Sequence, residues 1–148
     1  DRGVKNIVMY DVSSTHPSVI ISEAFRCSHL IFASATYNGG IFSCMEHLLL
    51  DLKAHNLQNR TVALLENGSW GVTAGRKMGE IISEMKNMTI LDETITIKSS
   101  LKEDQMAELG ALANIILLKP CPELRGLTRL PGQGFKSIKV NSPARPPQ

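Results

Sequence analysis

The sequence predicts an α/β fold, a doubly wound parallel sheet in three α/β/α layers. Three observations predict it. Two short apolar runs, residues 30–33 (LIFA) and 61–65 (TVALL), have the character of strands buried on both faces. Each run passes into a polar loop with glycines, residues 34–40 (SATYNGG) and 66–71 (ENGSWG), and each loop passes into helical spacing. The strand-then-helix alternation recurs four times along the chain, which argues for a parallel sheet with helices on both faces.

Residues 4–12 (VKNIVMYDV) predict a short strand. Residues 13–17 (SSTHP) predict a turn, with Ser14 or Thr15 as a helix cap and Pro17 in the first helical turn. A helix from 17 to about 26 sets Val19, Ile20, Ala24 and Phe25 on related faces. The strand at 30–33 and its loop follow. A helix from about 41 to 55 then carries Phe42, Met45, Leu48, Leu49 and Leu52 at helical spacing, and residues 56–60 turn the chain. After the strand at 61–65 and its loop, Thr73 precedes a helix to about 85, with Met78, Ile81, Ile82 and Met85 on one side. Residues 89–98 alternate and predict a strand nearer an edge. Ser100 and Glu103 have the spacing of a capping box that opens a last helix to about 118.

At 148 residues the chain is one domain's worth. No apolar run is long enough to cross a bilayer, so a soluble protein without a membrane partner is expected. No charged-then-apolar leader opens the chain, and a start without Met reads as a fragment or a processed form. Cys27, Cys44 and Cys121 lack metal-ligand spacing. Their odd number argues against a disulfide framework and for a reducing, cytoplasmic setting. The formal charge of +2 suggests no nucleic-acid partner, but its distribution is uneven. Residues 1–118 carry 10 Lys/Arg against 13 Asp/Glu, and residues 119–148 carry 6 against 1. The division is therefore a domain over 1–118 and a basic, Pro-containing, poorly ordered tail over 119–148, with a strand-like piece at 135–140. The tail alone keeps a nucleic-acid-associated protein open as a rival.

The two loops are the candidate site. In an open α/β sheet, ligands bind at the carboxyl ends of strands. Each loop offers one aromatic (Tyr37, Trp70), glycines that let backbone approach a guest, and side chains that hydrogen-bond with little charge. Two aromatics on neighbouring loops can bracket a flat heterocycle. The plainer reading stays beside it: Asn38-Gly39 and Asn67-Gly68 are ordinary turn dipeptides, and the aromatics could lid the core. Glu66 could accept a hydrogen bond from a ligand or face solvent. His16, His29, His47 and His55 are scattered, with no carboxylate or cysteine at ligand spacing. No serine–histidine or cysteine–histidine arrangement supports hydrolysis. No catalytic or metal-ligating residue is predicted.

SATYNGGIF, ENGSWG with TAGRKM following, and YDVSSTHPS resemble the flavodoxin-like domain of flavodiiron proteins, also called A-type flavoproteins. The likeness covers roughly residues 4–116. It implies a flavodoxin-like sheet with noncovalent FMN. Matched motif by motif, Thr36, Tyr37, Asn38 and Gly39 line one side of the flavin, and Asn67, Gly68, Ser69, Trp70 and Gly71 the other. Ala35 stands where many relatives have proline. In the family this domain follows a metallo-β-lactamase-like domain with two irons. Electrons pass from a donor such as rubredoxin or a reductase, through FMN, to the iron site that reduces dioxygen or nitric oxide. Family members usually pair head to tail, so a homo-oligomer is implied for the full-length protein.

The resemblance also implies a unit that this sequence does not contain. A flavodoxin-like domain opens with a central strand and a Ser/Thr/Gly loop for the FMN phosphate, which would place the sheet as incomplete at its N-terminus. Ser13-Ser14-Thr15 follows a strand and precedes a helix, but it lacks glycine, and Pro17 removes an N–H. Two further readings remain: an NAD(P)H-dependent FMN reductase-like enzyme, and a flavodoxin-like module that no longer binds flavin.

Overall fold

The computed structural model describes residues 7–69 and 71–118, without the side chains of Asp104 and Leu117. The elements run α1 (Pro17–Arg26), β1 (His29–Tyr37), β2 (Gly40–Ile41), α2 (Ser43–Ala54), β3 (Thr61–Asn67), α3 (Ala74–Ser83), β4 (Thr89–Ile90), β5 (Ile95–Ile97) and α4 (Glu103–Leu118). β3 is the spine of the sheet. It pairs in parallel with β1 from His29↔Thr61 to Ala35↔Asn67, and on its other side with β4 and then β5. The period-2 alternation of β3 feeds two cores. Val62 and Leu64 join Phe32, Ile20, Ala24, Met45, Leu48, Leu49, Leu52, Met78 and Ile82 beneath α1, α2 and α3. Ala63 and Leu65 join Leu91, Ile95, Ile97 and Leu112 beneath α4. The result is the expected α/β/α sandwich, its strands parallel except for the short β2, which runs antiparallel to β1.

Helix ends follow local chemistry. α1 starts at Pro17, but its cap is His16, whose Nδ1 accepts from Ser18 N, rather than Ser14 or Thr15. Those two residues are spent in a turn, where Ser14 N and Thr15 N both donate to Asp11 O. The last carbonyls of α1 are held by a buried arginine. Arg60 Nε donates to Ala24 O and Nη2 to Phe25 O, a cation set at the negative end of the helix. α2 ends in a Schellman motif: Asn56 N donates to Lys53 O, Leu57 N to Leu52 O, and Asn56 takes the left-handed φ of 57°.

Several expectations are corrected. Residues 7–12 form no strand, and residues 4–6 lie outside the described residues. A strand needs a neighbour to take its backbone N–H and C=O groups. Ile7 and Met9 are 72% and 93% exposed, and Asp11 turns the chain immediately afterwards. β1 is not buried on both faces, and on the side away from β3 its one ladder partner among the described residues is the short β2, at Thr36 and Tyr37. Phe32 points into the core, but Ile31 on the opposite face is 57% exposed, because α4 covers that face only over β3 and β5. The predicted strand at 89–98 is broken into β4 and β5 around buried Leu91, and it does lie at an edge. No hydrogen bond of a Ser100–Glu103 capping box is present among the described residues; Gln105 Oε1 instead accepts from Lys102 N. The tail at 119–148, including its strand-like piece at 135–140, lies outside the described residues.

The packing sets a contrast that a urea melt can read. Leu52 is fully buried beneath the sheet, so Leu52→Ala is expected to cost about 2–5 kcal/mol. Ile31→Ala, on the exposed face of β1, is expected to stay within about 0.5 kcal/mol of the parent.

Candidate functional site

The site is built from the carboxyl ends of β1 and β3. Their register pairs Ala35 with Asn67, so Thr36 and Gly68 emerge side by side where the ladder stops. The first loop is not the continuous loop expected from the sequence. β1 runs on to Tyr37, reverses through Asn38 and Gly39, and returns as β2, with Thr36↔Ile41 and Tyr37↔Gly40 paired antiparallel. Both turn residues have positive φ, 49° and 70°, which is the two-residue hairpin that an Asn-Gly pair favours. α2 therefore begins two residues later than expected, at Ser43. The ring of Tyr37, 58% exposed, meets Phe42 edge to face with centroids 6.3 Å apart. A side chain added at Gly39 would meet nothing within 4 Å, so this backbone lies open to a guest.

The second loop leaves β3 at Asn67. Gly68 N donates to Ile97 O at 3.2 Å, and Asn67 Nδ2 donates to Ser99 O at 3.2 Å. These bonds tether the loop to the end of β5. Gly68 also passes close to the first loop: a Cβ there would lie 3.4 Å from Thr36 Cβ and 3.4 Å from Val72 Cγ2. Gly71 has a φ of +48° with open space around it. Ser69 is exposed, and Trp70 lies outside the described residues. Of the expected site residues, Thr36, Tyr37, Asn38 and Gly39 thus form one hairpin, and Asn67, Gly68, Ser69 and Gly71 stand on the neighbouring strand end.

Thr36 does something the sequence does not announce. Its hydroxyl oxygen accepts from Thr73 N at 3.0 Å and from Ala74 N at 3.2 Å, capping α3 from a different strand. Thr73, at the cap position itself, leaves its own Oγ1 buried without a partner among the described residues. Glu66 accepts from the next amide, Gly75 N, at 2.6 Å through Oε2, and from Thr96 Oγ1 at 2.8 Å through Oε1. It neither faces solvent freely nor points at a guest. Three successive amides at the start of α3 are thereby consumed inside the protein, although an uncapped helix N-terminus would be a natural phosphate seat.

The Ser13–Thr15 turn is also poorly suited to a phosphate. Asp11 Oδ1 accepts from Ser13 N at 2.8 Å and Ser13 Oγ at 2.6 Å. The Ser13 hydroxyl, and then its amide, hold the Asp11 carboxyl below its ordinary range, so the turn is centred on a negative charge. No group of three His, Cys, Asp or Glu suited to a metal is present among the described residues. His16 and His55 serve helix ends, His55 through its Nδ1 and the Asp51 carbonyl.

Glu66, Gly75 and Thr96 were not legible as a unit. The available signal was a carboxylate at the last inward position of a strand, followed nine residues later by a glycine in the first turn of a helix.

No protein-family model matches the chain, and no curated protein sequence matches it. Solved structures do match in shape. The chain is similar to rubredoxin oxygen:oxidoreductase from Desulfovibrio gigas, with 21% identity and a TM-score of 0.67, over 71% of this chain and 26% of that one. It is similar to a flavodiiron core from Synechocystis, with 13% identity and a TM-score of 0.60, over 66% of this chain and 24% of that one. It is similar to a flavodoxin from an archaeon, with 21% identity and a TM-score of 0.58, over 71% of each chain. The chain spans about a quarter of the rubredoxin oxygen:oxidoreductase and flavodiiron-core chains. At these identities the likeness is one of fold, and the fold is flavodoxin-like.

The Thr36 cap is testable by itself. Thr36→Val removes the acceptor of two helix-start amides and is expected to cost about 1–3 kcal/mol in a urea melt, whereas Thr36→Ser retains the oxygen and most of the stability.

Proposed function

We propose that residues 1–118 form a flavin-binding electron-transfer domain, with FMN as the cofactor. The observation that carries this reading is the pairing of two glycine-bearing strand ends, the Tyr37–Gly40 hairpin and the loop after Asn67, at adjacent positions on a flavodoxin-like sheet. That is where an open α/β sheet accepts ligands. The flat ring of a flavin suits this site. Gly39 and Gly71 leave open backbone, one on each loop, and Tyr37 presents an exposed aromatic face.

The chain's own residues have limited, definable tasks here. Thr36, Tyr37, Asn38 and Gly39 would bound one side of the ring, and Asn67, Gly68, Ser69, Trp70 and Gly71 the other. The Thr36 hydroxyl holds its loop through α3 rather than through the guest, so its contribution is the shape of the hairpin. Bound FMN would supply one- and two-electron transfer, and the loops would set its exposure and hydrogen bonding. The phosphate has no seat at α3, whose first amides are taken by Thr36 and Glu66, nor in the Asp11-centred turn. The ring end of the cofactor therefore carries the fit.

The finer reading is that electrons pass onward to a di-iron site in a metallo-β-lactamase-like domain, which reduces dioxygen or nitric oxide. The donor would be a rubredoxin or a reductase, and the full-length protein a cytoplasmic homo-oligomer. The shape likeness to a rubredoxin oxygen:oxidoreductase and to a flavodiiron core favours the flavodiiron setting; the donor, the oligomer and the compartment rest on the family resemblance alone.

Titrating the 148-residue chain with FMN tests the reading. Bound flavin is expected to show a shifted, structured absorbance band and quenched fluorescence at micromolar FMN; an unchanged free-flavin spectrum there would sink it. Tyr37→Ala and Trp70→Ala are each expected to weaken FMN by about 2–10-fold, the worth of one lost stacking partner.

A further inference from the structure

Glu66 is the last residue of β3 with its side chain turned towards α3. It forms a strut that neither core nor ladder requires. Its Oε2 accepts from Gly75 N at 2.6 Å, in the first turn of α3. Its Oε1 accepts from Thr96 Oγ1 at 2.8 Å on β5. The Thr96 carbonyl in turn accepts from Gln105 Nε2 at 2.8 Å, in the first turn of α4. One carboxylate thus links the strand that launches the second loop with the helix that receives it and with the strand that flanks it. Among the described residues of the loop between them, 68–73, Gly68 N is tied to Ile97 O at one end, and at the other Thr73 N donates to Thr36 Oγ1 while Thr73 O accepts from Lys77 N.

Gly75 belongs to the same device. A Cβ at this position would lie 2.7 Å from Thr94 Cγ2, 2.9 Å from Glu66 Oε2 and 3.0 Å from Glu66 Cδ. Real Cβ atoms do not approach so closely. A helix pays about 1 kcal/mol for glycine in place of alanine. Here that cost accompanies a close approach of the carboxylate to the helix.

We infer that Glu66 is a positioning residue for the proposed flavin site: by clamping α3 and β5 to the end of β3, it fixes where Asn67, Gly68 and Gly71 stand relative to the Tyr37–Gly40 hairpin. This rests on the flavin reading for its purpose, but the clamp itself can be measured without flavin.

The experiment compares wild type, Glu66→Ala, Glu66→Gln, Gly75→Ala and Thr96→Val as the full chain. It follows local amide exchange by mass spectrometry and then FMN affinity. Glutamine keeps an acceptor for Gly75 N and an amide for Thr96 Oγ1, so it should retain the geometry. The expected result is faster exchange over 67–75 in Glu66→Ala and Gly75→Ala, with α1 and α2 unchanged and Glu66→Gln close to wild type. FMN affinity should fall about tenfold in the first two and by less than about threefold in Glu66→Gln. If Glu66→Ala does not fold, Thr96→Val decides, and faster exchange confined to 67–75 is again expected. Wild-type exchange over 67–75 in the folded variants would overturn the inference, as would an increase spread evenly over α1 and α2, or a glutamine variant as impaired as alanine. If wild type binds no FMN, the flavin reading fails while the exchange result still decides the clamp.

Discussion

The start of α3 needs hydrogen-bond acceptors, and it finds them on other strands. Its cap residue Thr73 has a non-helical backbone, yet its own hydroxyl does not cap the helix. Thr36 at the end of β1 takes the amides of Thr73 and Ala74, and Glu66 at the end of β3 takes that of Gly75. Unpartnered helix-start amides in a part-buried setting would cost about 1–3 kcal/mol each. The two strand ends are therefore held to one helix end, and the loops that leave them inherit a fixed spacing.

This arrangement also decides what the site can hold. A helix N-terminus attracts anions through free amides and its dipole, but here both serve Thr36 and a carboxylate. Glu66 already supplies the negative charge at α3. What remains open is backbone at Gly39 and Gly71 and the exposed face of Tyr37, the part of the site to which the proposal assigns the flat, uncharged ring end of FMN. Gly68 runs close between Thr36 and Val72, with 3.4 Å from the position of a Cβ to either side chain.

Much of the fold was readable because its signals are local and periodic. The apolar run at 61–65 opens β3 and holds its buried residues, 61–64, and Met45, Leu48, Leu49 and Leu52 are the buried stripe of α2. β1 misled because an apolar sequence reports what a strand can bury, not whether a neighbour and a helix are present to bury it. Ile31 is as apolar as Phe32 but lies on the face that α4 does not reach. Residues 7–12 failed for the related reason that a strand is a property of pairs. The Asn38-Gly39 turn carried the hairpin signal openly, and treating the whole stretch as loop hid β2. The Glu66 strut joins residues 9 and 30 positions apart, and no spacing rule in a single sequence reaches that far.

The central claim is that the two strand ends act together as one flavin-ring site. Amide NMR during an FMN titration tests it most directly, through the well-resolved glycine resonances. Gly39, Gly40, Gly68 and Gly71 are predicted to shift together, with one common dissociation constant, while Gly79 in the middle of α3 stays still. Shifts confined to one of the two loops, or centred on the turn around Asp11, would contradict the account.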